Sequence, residues 1–474
     1  MKTWIVLFLV GVLMLQPGLA QDEDSAFSDS DFDLELPADD LELDLDITTP
    51  VVRRDWEFYG FFQTDLGRSI SKEDGSPTLA KFRATLNLTF DYNLTRDWKL
   101  KLNGSGFYDF AYGINGRDKY TTETLETYEK EVEMKDTYVE GDLGSGFSLK
   151  VGRQIIAWGE SDATQINDMA NPRDNREIGM VELEDARIPV TSSFISWTGN
   201  DWRLDFAAIH EYRSNKIAPE GSEFDPLTTM RSKGINIAEE ELPENGGEWT
   251  ARIQKSLNGA DIALYASDTF NDAFYLDFES LVVTGGNAQL TVRPKHQKVN
   301  SVGVSANKVL GSLLFKGEIA FKEGMMYQRS DLTSQIQAAV KSGSLTISTT
   351  QEKKQLQNML GLEYMGFSDL TLTMELNRTL IMDWEENLTN AEDTYFSFSS
   401  VTHQALNDTL TNRFVWIHYT DDGGDVYRWT ADYDLIDGLN IAGGVVLYHS
   451  PKSDSLMEPF KNNDRLTLSS RYSF

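Results

Sequence analysis

The sequence predicts an all-β chain: a transmembrane antiparallel β-barrel of about 16 strands, with about 14 or 18 also open, joined by short periplasmic turns and long extracellular loops. Three observations predict it. From Trp56 onward, segments of roughly a dozen residues alternate apolar and polar side chains, where soluble strands run to about 5–6 residues. Aromatic residues stand at the segment ends, where interfacial girdles belong. The chain stops on Phe474, the last outward position of an alternating segment.

The N-terminus reads as an export signal. Met1–Ala20 has an early lysine, a short apolar run and then Pro17-Gly18-Leu19-Ala20, so the small residue before Gln21 suits signal-peptidase cleavage. Residues 21–52 form an acidic leader in the periplasm. Asp22–Asp46 carries twelve Asp and Glu and no Lys or Arg, and like-charge repulsion with little to bury favours disorder. Phe27, Phe32, Leu34, Leu36, Leu41, Leu43 and Leu45 interleave with the acids. A second reading is therefore a docking strand that pairs with a partner's sheet edge.

Residues 53–474 make the barrel. Phe82, Ala84, Leu86, Leu88, Phe90 and Tyr92 share one face, and Lys81, Arg83, Thr85, Asn87, Thr89 and Asp91 the other. Trp98 to Tyr112, Leu313 to Phe321 and Tyr427 to Leu435 repeat the pattern. Only one face of such a strand meets lipid, so mean hydropathy stays low in a chain that spans a membrane. The connections alternate between tight turns ("LTRD", "GSG", "GND", "NGA", "IDG") and long polar stretches such as Ser161–Pro189 and Ser214–Gly247. Within Thr394–Leu435, Phe414–Thr420 and Val426–Leu435 read as one long interrupted strand or as two, and "TYFSFSSV" as a further strand, which leaves the count open. Arg329–Gly343 has apolar residues at helical spacing and reads as a short outer-loop helix or an inward plug. In "RLTLSSRYSF", Leu466, Leu468, Tyr472 and Phe474 point outward. Tyr472 and Phe474 thus resemble the signal that the barrel-assembly machinery reads on bacterial outer-membrane proteins.

Composition excludes several functions. There are no cysteines, so disulfides, thiolate metal sites and covalent haem attachment are absent. A net charge of −32 disfavours nucleic acid. The five histidines show no metal-ligand spacing, and His210 in "AIHEYR" has no nucleophile motif beside it, so it reads as a rim residue. No metal, cofactor or catalytic site is expected. Lumen charges such as Lys99, Lys101, Glu318, Glu375, Arg428 and Arg471 have both signs and read as wetting of the inner wall. Outer-membrane lipid and lipopolysaccharide surround the barrel, and acidic loops such as Glu239–Glu244 read as solvated charge.

One segment breaks the pattern. In "LKVGRQIIAWGESDATQ", Leu149, Val151 and Ile155 fall on one face, and Arg153 falls there too. An arginine facing mid-bilayer costs about 2–4 kcal/mol. A bulge or glycine kink at Gly152–Arg153 would turn Arg153 inward and let Trp158 reach the girdle. Arg153 would then meet acids of the following loop, with Glu160, Asp174 and Glu182 as partners. The binding and gating candidates are Arg153, Gln154, Trp158, Glu160, Asp174 and Glu182.

The run "VGRQIIAWGESD", then "NPRDNRE", then "ELEDARIPVTSSFISW" resembles the hallmark region of a proteobacterial outer-membrane barrel family, domain of unknown function 1302. The matching positions are Gly152, Arg153, Gln154, Trp158, Gly159, Glu160, Asn171, Pro172, Asp174, Glu182, Pro189 and Val190. The resemblance implies an outer-membrane barrel that moves hydrophobic compounds together with periplasmic and inner-membrane transport partners, and it brings no catalytic residues. The expectation is a channel or transporter for hydrophobic or small organic compounds, not an enzyme, with residues 161–189 folding inward to control access. The alternative is a plugged barrel that acts as a scaffold or receptor.

Overall fold

The computed structural model describes residues 55–71, 77–181, 183–244, 247–284, 287–342 and 347–474. The expected signal peptide and acidic leader lie outside the described residues. So does Glu182.

Among the described residues, eighteen strands close into one antiparallel barrel. Numbered in chain order they are β1 Trp56–Ser69, β2 Leu79–Asn93, β3 Trp98–Asp109, β4 Lys130–Gly144, β5 Phe147–Gln154, β6 Val190–Gly199 and β7 Trp202–Ile209. β8 (Asn236–Ile237) lies outside the wall. β9 Glu248–Leu257 and β10 Ala260–Phe270 return to it. β11 (Tyr275–Thr284) and β12 (Asn287–Lys295) join β8 in a small sheet of their own. The wall resumes with β13 Lys298–Leu310, β14 Leu313–Gln328, β15 Thr350–Phe367, β16 Leu370–Met382 and β17 Asp393–Ala405. It ends with β18 Leu410–Tyr419, β19 Gly424–Ile436, β20 Leu439–His449 and β21 Arg465–Ser473.

Each wall strand pairs with the next, and β1 pairs with both β2 and β21. At the seam Gly60 and Phe474 exchange two backbone hydrogen bonds of 2.9 Å each. Closure leaves no sheet edge in the apolar phase, where an unpaired backbone group costs several kcal/mol. The outward face carries the predicted residues: Leu86, Tyr92, Phe315, Ile319, Trp429, Leu435, Leu466 and Phe474 are all exposed. Their inward neighbours Asp91, Glu318, Arg428 and Arg465 are buried.

Eighteen strands is the upper count the sequence left open, and the difference from 16 lies at Thr394–Leu435. That stretch holds three strands, β17, β18 and β19. The β17–β18 corner runs through Leu406, Asn407 and Asp408 at φ 56°, 56° and 66°. These are left-handed positions that glycine normally marks, so the corner carries no glycine signal.

Wall height is uneven. β5, β6 and β7 have 8, 10 and 8 residues, whereas β14 and β15 have 16 and 18. Above this wall the helix Leu332–Ser342 packs on the β8/β11/β12 sheet around Leu276, Leu281, Leu290, Val292 and Ala339. The segment is thus an outer-loop helix that caps a hairpin, not an inward plug.

A side chain at φ 56° pays about 1–2 kcal/mol. Leu406→Gly should therefore raise barrel stability by about 1 kcal/mol, less the flexibility glycine adds to the unfolded chain. A lower temperature for loss of the compact folded band on a gel would contradict this.

Candidate functional site: the infolded loop and its anchors

Between β5 and β6 the chain enters the lumen. Gln154 ends β5 facing inward, 2% exposed, and donates to Lys150 O at 3.3 Å and Ser192 O at 3.2 Å. Asn171 ties the loop's neck. Its Oδ1 accepts from Ile156 N at 2.7 Å and its Nδ2 donates to Ile188 O at 2.8 Å. Trp158 packs inside the wall between Phe194 and Tyr265, ring centroids 6.4 and 6.2 Å away. The Arg252 guanidinium lies 5.3 Å from the ring of Trp158. Trp158 is therefore an inner-wall residue and does not belong to the outer girdle.

Gly159 then turns the chain at φ 99°. The turn aims successive backbone N–H groups at two wall carboxylates, a short concavity of the kind that binds anions. Glu318 Oε1 accepts from Glu160 N and, at 2.9 Å, from Ser161 N, and its Oε2 accepts from Asn167 Nδ2 at 3.0 Å. Glu375 accepts from Ser161 Oγ at 2.7 Å and from Asp162 N at 2.9 Å. Glu318 is 2% exposed and Glu375 0%. The carboxylate of Glu160 accepts from Ser305 Oγ and Asn307 Nδ2, and Asp162 pairs with Lys316 at 3.0 Å. These partners sit on β13, β14 and β16. On the ring, β14 lies six strands from β5 and β16 eight, so the loop crosses the lumen.

The loop then returns to the wall near the seam. Glu177 pairs with Lys81 of β2 at 2.5 Å. Tyr448 donates to Ile178 O at 2.6 Å, and Arg428 to Gly179 O at 3.1 Å. Burial pushes the Glu177 carboxyl up, but Lys81, Arg83 and Arg465 together outweigh it and hold the group well below the usual carboxylate range. Asp174 pairs with Arg176, which also reaches Glu131 at 2.8 Å.

Arg153 behaves differently from expectation. Gly152 does adopt φ 135°. Its Cβ would lie 2.4 Å from Thr137 O, so only glycine fits there. The ladder nevertheless keeps register through Arg153 on both sides, opposite Thr137 and Thr191. No bulge interrupts β5, and Arg153 stays on the outward face. The bulge is on β4, where Lys135 and Asp136 together oppose Asn103. Arg153 Nη1 donates to Met134 O beside that bulge, and Nη2 pairs with Glu211 at 2.5 Å. Its partner is Glu211, not Glu160 or Asp174. The strand ends one residue later, so the guanidinium reaches the outer rim and escapes the mid-bilayer penalty. His210 lies beside it, with Nε2 2.8 Å from Ser193 Oγ.

Sequence reasoning assigned Glu318 and Glu375 to wetting of the wall, and they are the loop's principal anchors. Their N–H donors lie more than 150 positions away in sequence, so no local pattern joins them.

A second charged group lies beside the loop. Asp168 pairs with Arg187 at 2.8 Å. Burial pushes Asp168 up, opposed by Arg187 and Arg173. Burial, with Glu248 and Asp168 adding to it, pushes Asp272 well above the usual range, and Arg173 only partly offsets this. A raised carboxyl favours the fold while protonated, and the benefit is lost as pH rises through its folded value. Asp272→Asn should therefore stabilise the barrel at pH 7 and change little in acid, where the carboxyl is protonated in both states. Equal effects at both pH values in thermal unfolding would refute this. Separately, Arg153→Leu should cost about 1 kcal/mol by removing Glu211's ion-pair partner and leaving it only the Thr191 hydroxyl, and R153L/E211L should recover it. A double variant no better than the single would count against the pairing.

Comparison with known proteins places this geometry. Acinetobacter baumannii OccAB1 aligns at a TM-score of 0.53 and 9% identity, over 89% of this chain and 96% of that one. OccAB3 from the same organism aligns at 0.51 and 10%, over 89% and 99%. Pseudomonas aeruginosa OccK9 (OpdG) aligns at 0.51 and 8%, over 89% and 98%. At such identities the likeness shows the fold alone, a porin-like closed β-barrel. No curated protein matches the sequence. The family model described as a protein of unknown function, DUF1302, matches residues 60–474, and the chain belongs to that family.

Proposed function

We propose that the protein is an outer-membrane channel for small organic solutes, hydrophobic ones included, whose access is set by the loop of residues 155–189. One observation carries the reading. The loop leaves β5, is clipped to β14 and β16 and is held again near the seam. A segment pinned to separate parts of the wall narrows the lumen at a fixed height. It also presents polar side chains, Glu160 and Asp162, to the lumen that remains. Sequence-specific loops on a rigid barrel are where such proteins place selectivity.

Two subsidiary proposals accompany this reading. The acidic leader would dock a periplasmic transport partner, and outward-facing Tyr472 and Phe474 would serve the barrel-assembly machinery.

Planar-bilayer conductance tests the main reading. The purified full-length barrel should conduct, and a version lacking 161–189 should conduct more. E318Q/E375Q should give larger, noisier currents, because a neutral amide holds the converging N–H groups less strongly than a carboxylate does. If neither the full chain nor the deletion conducts, the channel reading falls, and a plugged scaffold or receptor stands in its place.

A further inference from the structure

A chamber of about 50 Å³ lies at the outer mouth, apart from the loop's clip on β14 and β16. Arg83 of β2 and Arg465 of β21 form its wall. Tyr112, Tyr120, Tyr128 and Phe224, from the outer loops, form much of the rest. Space of about 10–15 Å³ holds one water, so the chamber suits a compact molecule of a few non-hydrogen atoms.

The two arginines are under-used. Arg465 is 3% exposed. One of its nitrogens reaches Glu223 and another the sulfur of Met180 at 3.8 Å, while its buried Nε has no hydrogen-bond partner among the described residues. Arg83 donates no hydrogen bond to any described residue. Its closest carboxylate oxygen, Asp109 Oδ2, is 3.5 Å from Nε, and Phe107 lies beneath the guanidinium at 4.0 Å. The chamber's acids are already engaged. Asp109 Oδ1 accepts from Phe82 N at 3.0 Å and Ala111 N at 3.1 Å, and Glu177 holds Lys81. The Tyr112 hydroxyl has no hydrogen-bond partner among the described residues. The lining thus has donors to spare and few free acceptors.

That imbalance selects an acceptor-rich ligand, and guanidinium forks match planar carboxylates. Lys81, Arg83 and Arg465 are balanced locally by Asp109, Glu177 and Glu223, so one added negative charge is tolerated better than two. Leu79, Ala80 and Phe224 offer apolar surface for a short alkyl tail. We propose that this chamber is a capture site for a short-chain monocarboxylate, held between the guanidinium groups of Arg83 and Arg465. The proposal deepens the channel reading, on which its role as an entry station rests.

The test is saturation-transfer NMR on the full-length barrel in detergent, with propionate as the probe and inorganic phosphate as competitor. Propionate should bind saturably, and phosphate should compete only weakly. Arg83→Gln should weaken binding about ten- to a hundredfold, the range of a charge-assisted hydrogen bond. Arg83 has no hydrogen bond to lose, so this variant should fold, and compact migration on an unheated gel checks it. Arg465→Gln serves as the second variant. No saturable propionate signal, equal binding by R83Q, or phosphate binding in preference to propionate would each overturn the assignment. The same preparation is tested for conductance. Conductance without propionate binding sinks this proposal alone. Propionate binding without conductance keeps the capture site and removes the channel.

Discussion

Every backbone polar group that faces lipid must be paired within the protein, and the rest of the structure depends on that constraint. It forces the two ends of the barrel, 414 residues apart, to meet at Gly60 and Phe474. Because neighbouring strands run antiparallel, eight short turns fall at one end, and the loops, together with the four-residue turn at 420–423, fall at the other. The lumen then becomes the only space inside the membrane where irregular backbone is allowed. The loop of residues 155–189 occupies it under the same rule.

That rule explains the chemistry of the anchors. A loop without regular structure brings unpaired N–H and C=O groups into a buried space, and each needs a partner. The wall supplies acceptors in Glu318 and Glu375, and donors in Tyr448 and Arg428. Asn171 supplies one of each to the neck. The buried carboxylates are satisfied by several donors at once, which is the condition for tolerating their burial. The loop's position is therefore built into the wall strands and cannot be read from the loop alone.

This separates what the sequence reveals from what it hides. The strand faces were legible because one side meets lipid and the other does not, which writes a two-residue period into β2, β14, β19 and β21. The inward course of the loop was legible in outline, from its length and polarity. The strand count was blurred at Thr394–Leu435, where only residues 420–423 part β18 from β19 and where Leu406, Asn407 and Asp408 take a left-handed corner without glycine. Arg153 was misassigned because periodicity gives a face but not a height. β5 has only 8 residues and β6 beside it 10, so the seventh residue of β5 already stands at the rim. Glu318 and Glu375 were hidden for another reason: their partners come from the far side of the ring.

The uneven wall connects these points. Short β5, β6 and β7 end near the membrane's outer edge, which lets the chain turn inward immediately after Gln154. Tall β14 and β15 rise on the other side of the ring, and β14 offers Lys316, Glu318 and Lys322 as successive inward rungs. A loop leaving a low wall for a high one meets inward side chains along its path, and it docks where carboxylates match the N–H groups that Gly159 turns toward them. Glycine there is required by φ 99° and by the 2.8 Å that a Cβ would leave to Glu318 Oε1. The hallmark "WGES" is thus one half of a lock whose other half, Glu318 and Glu375, is written on distant strands.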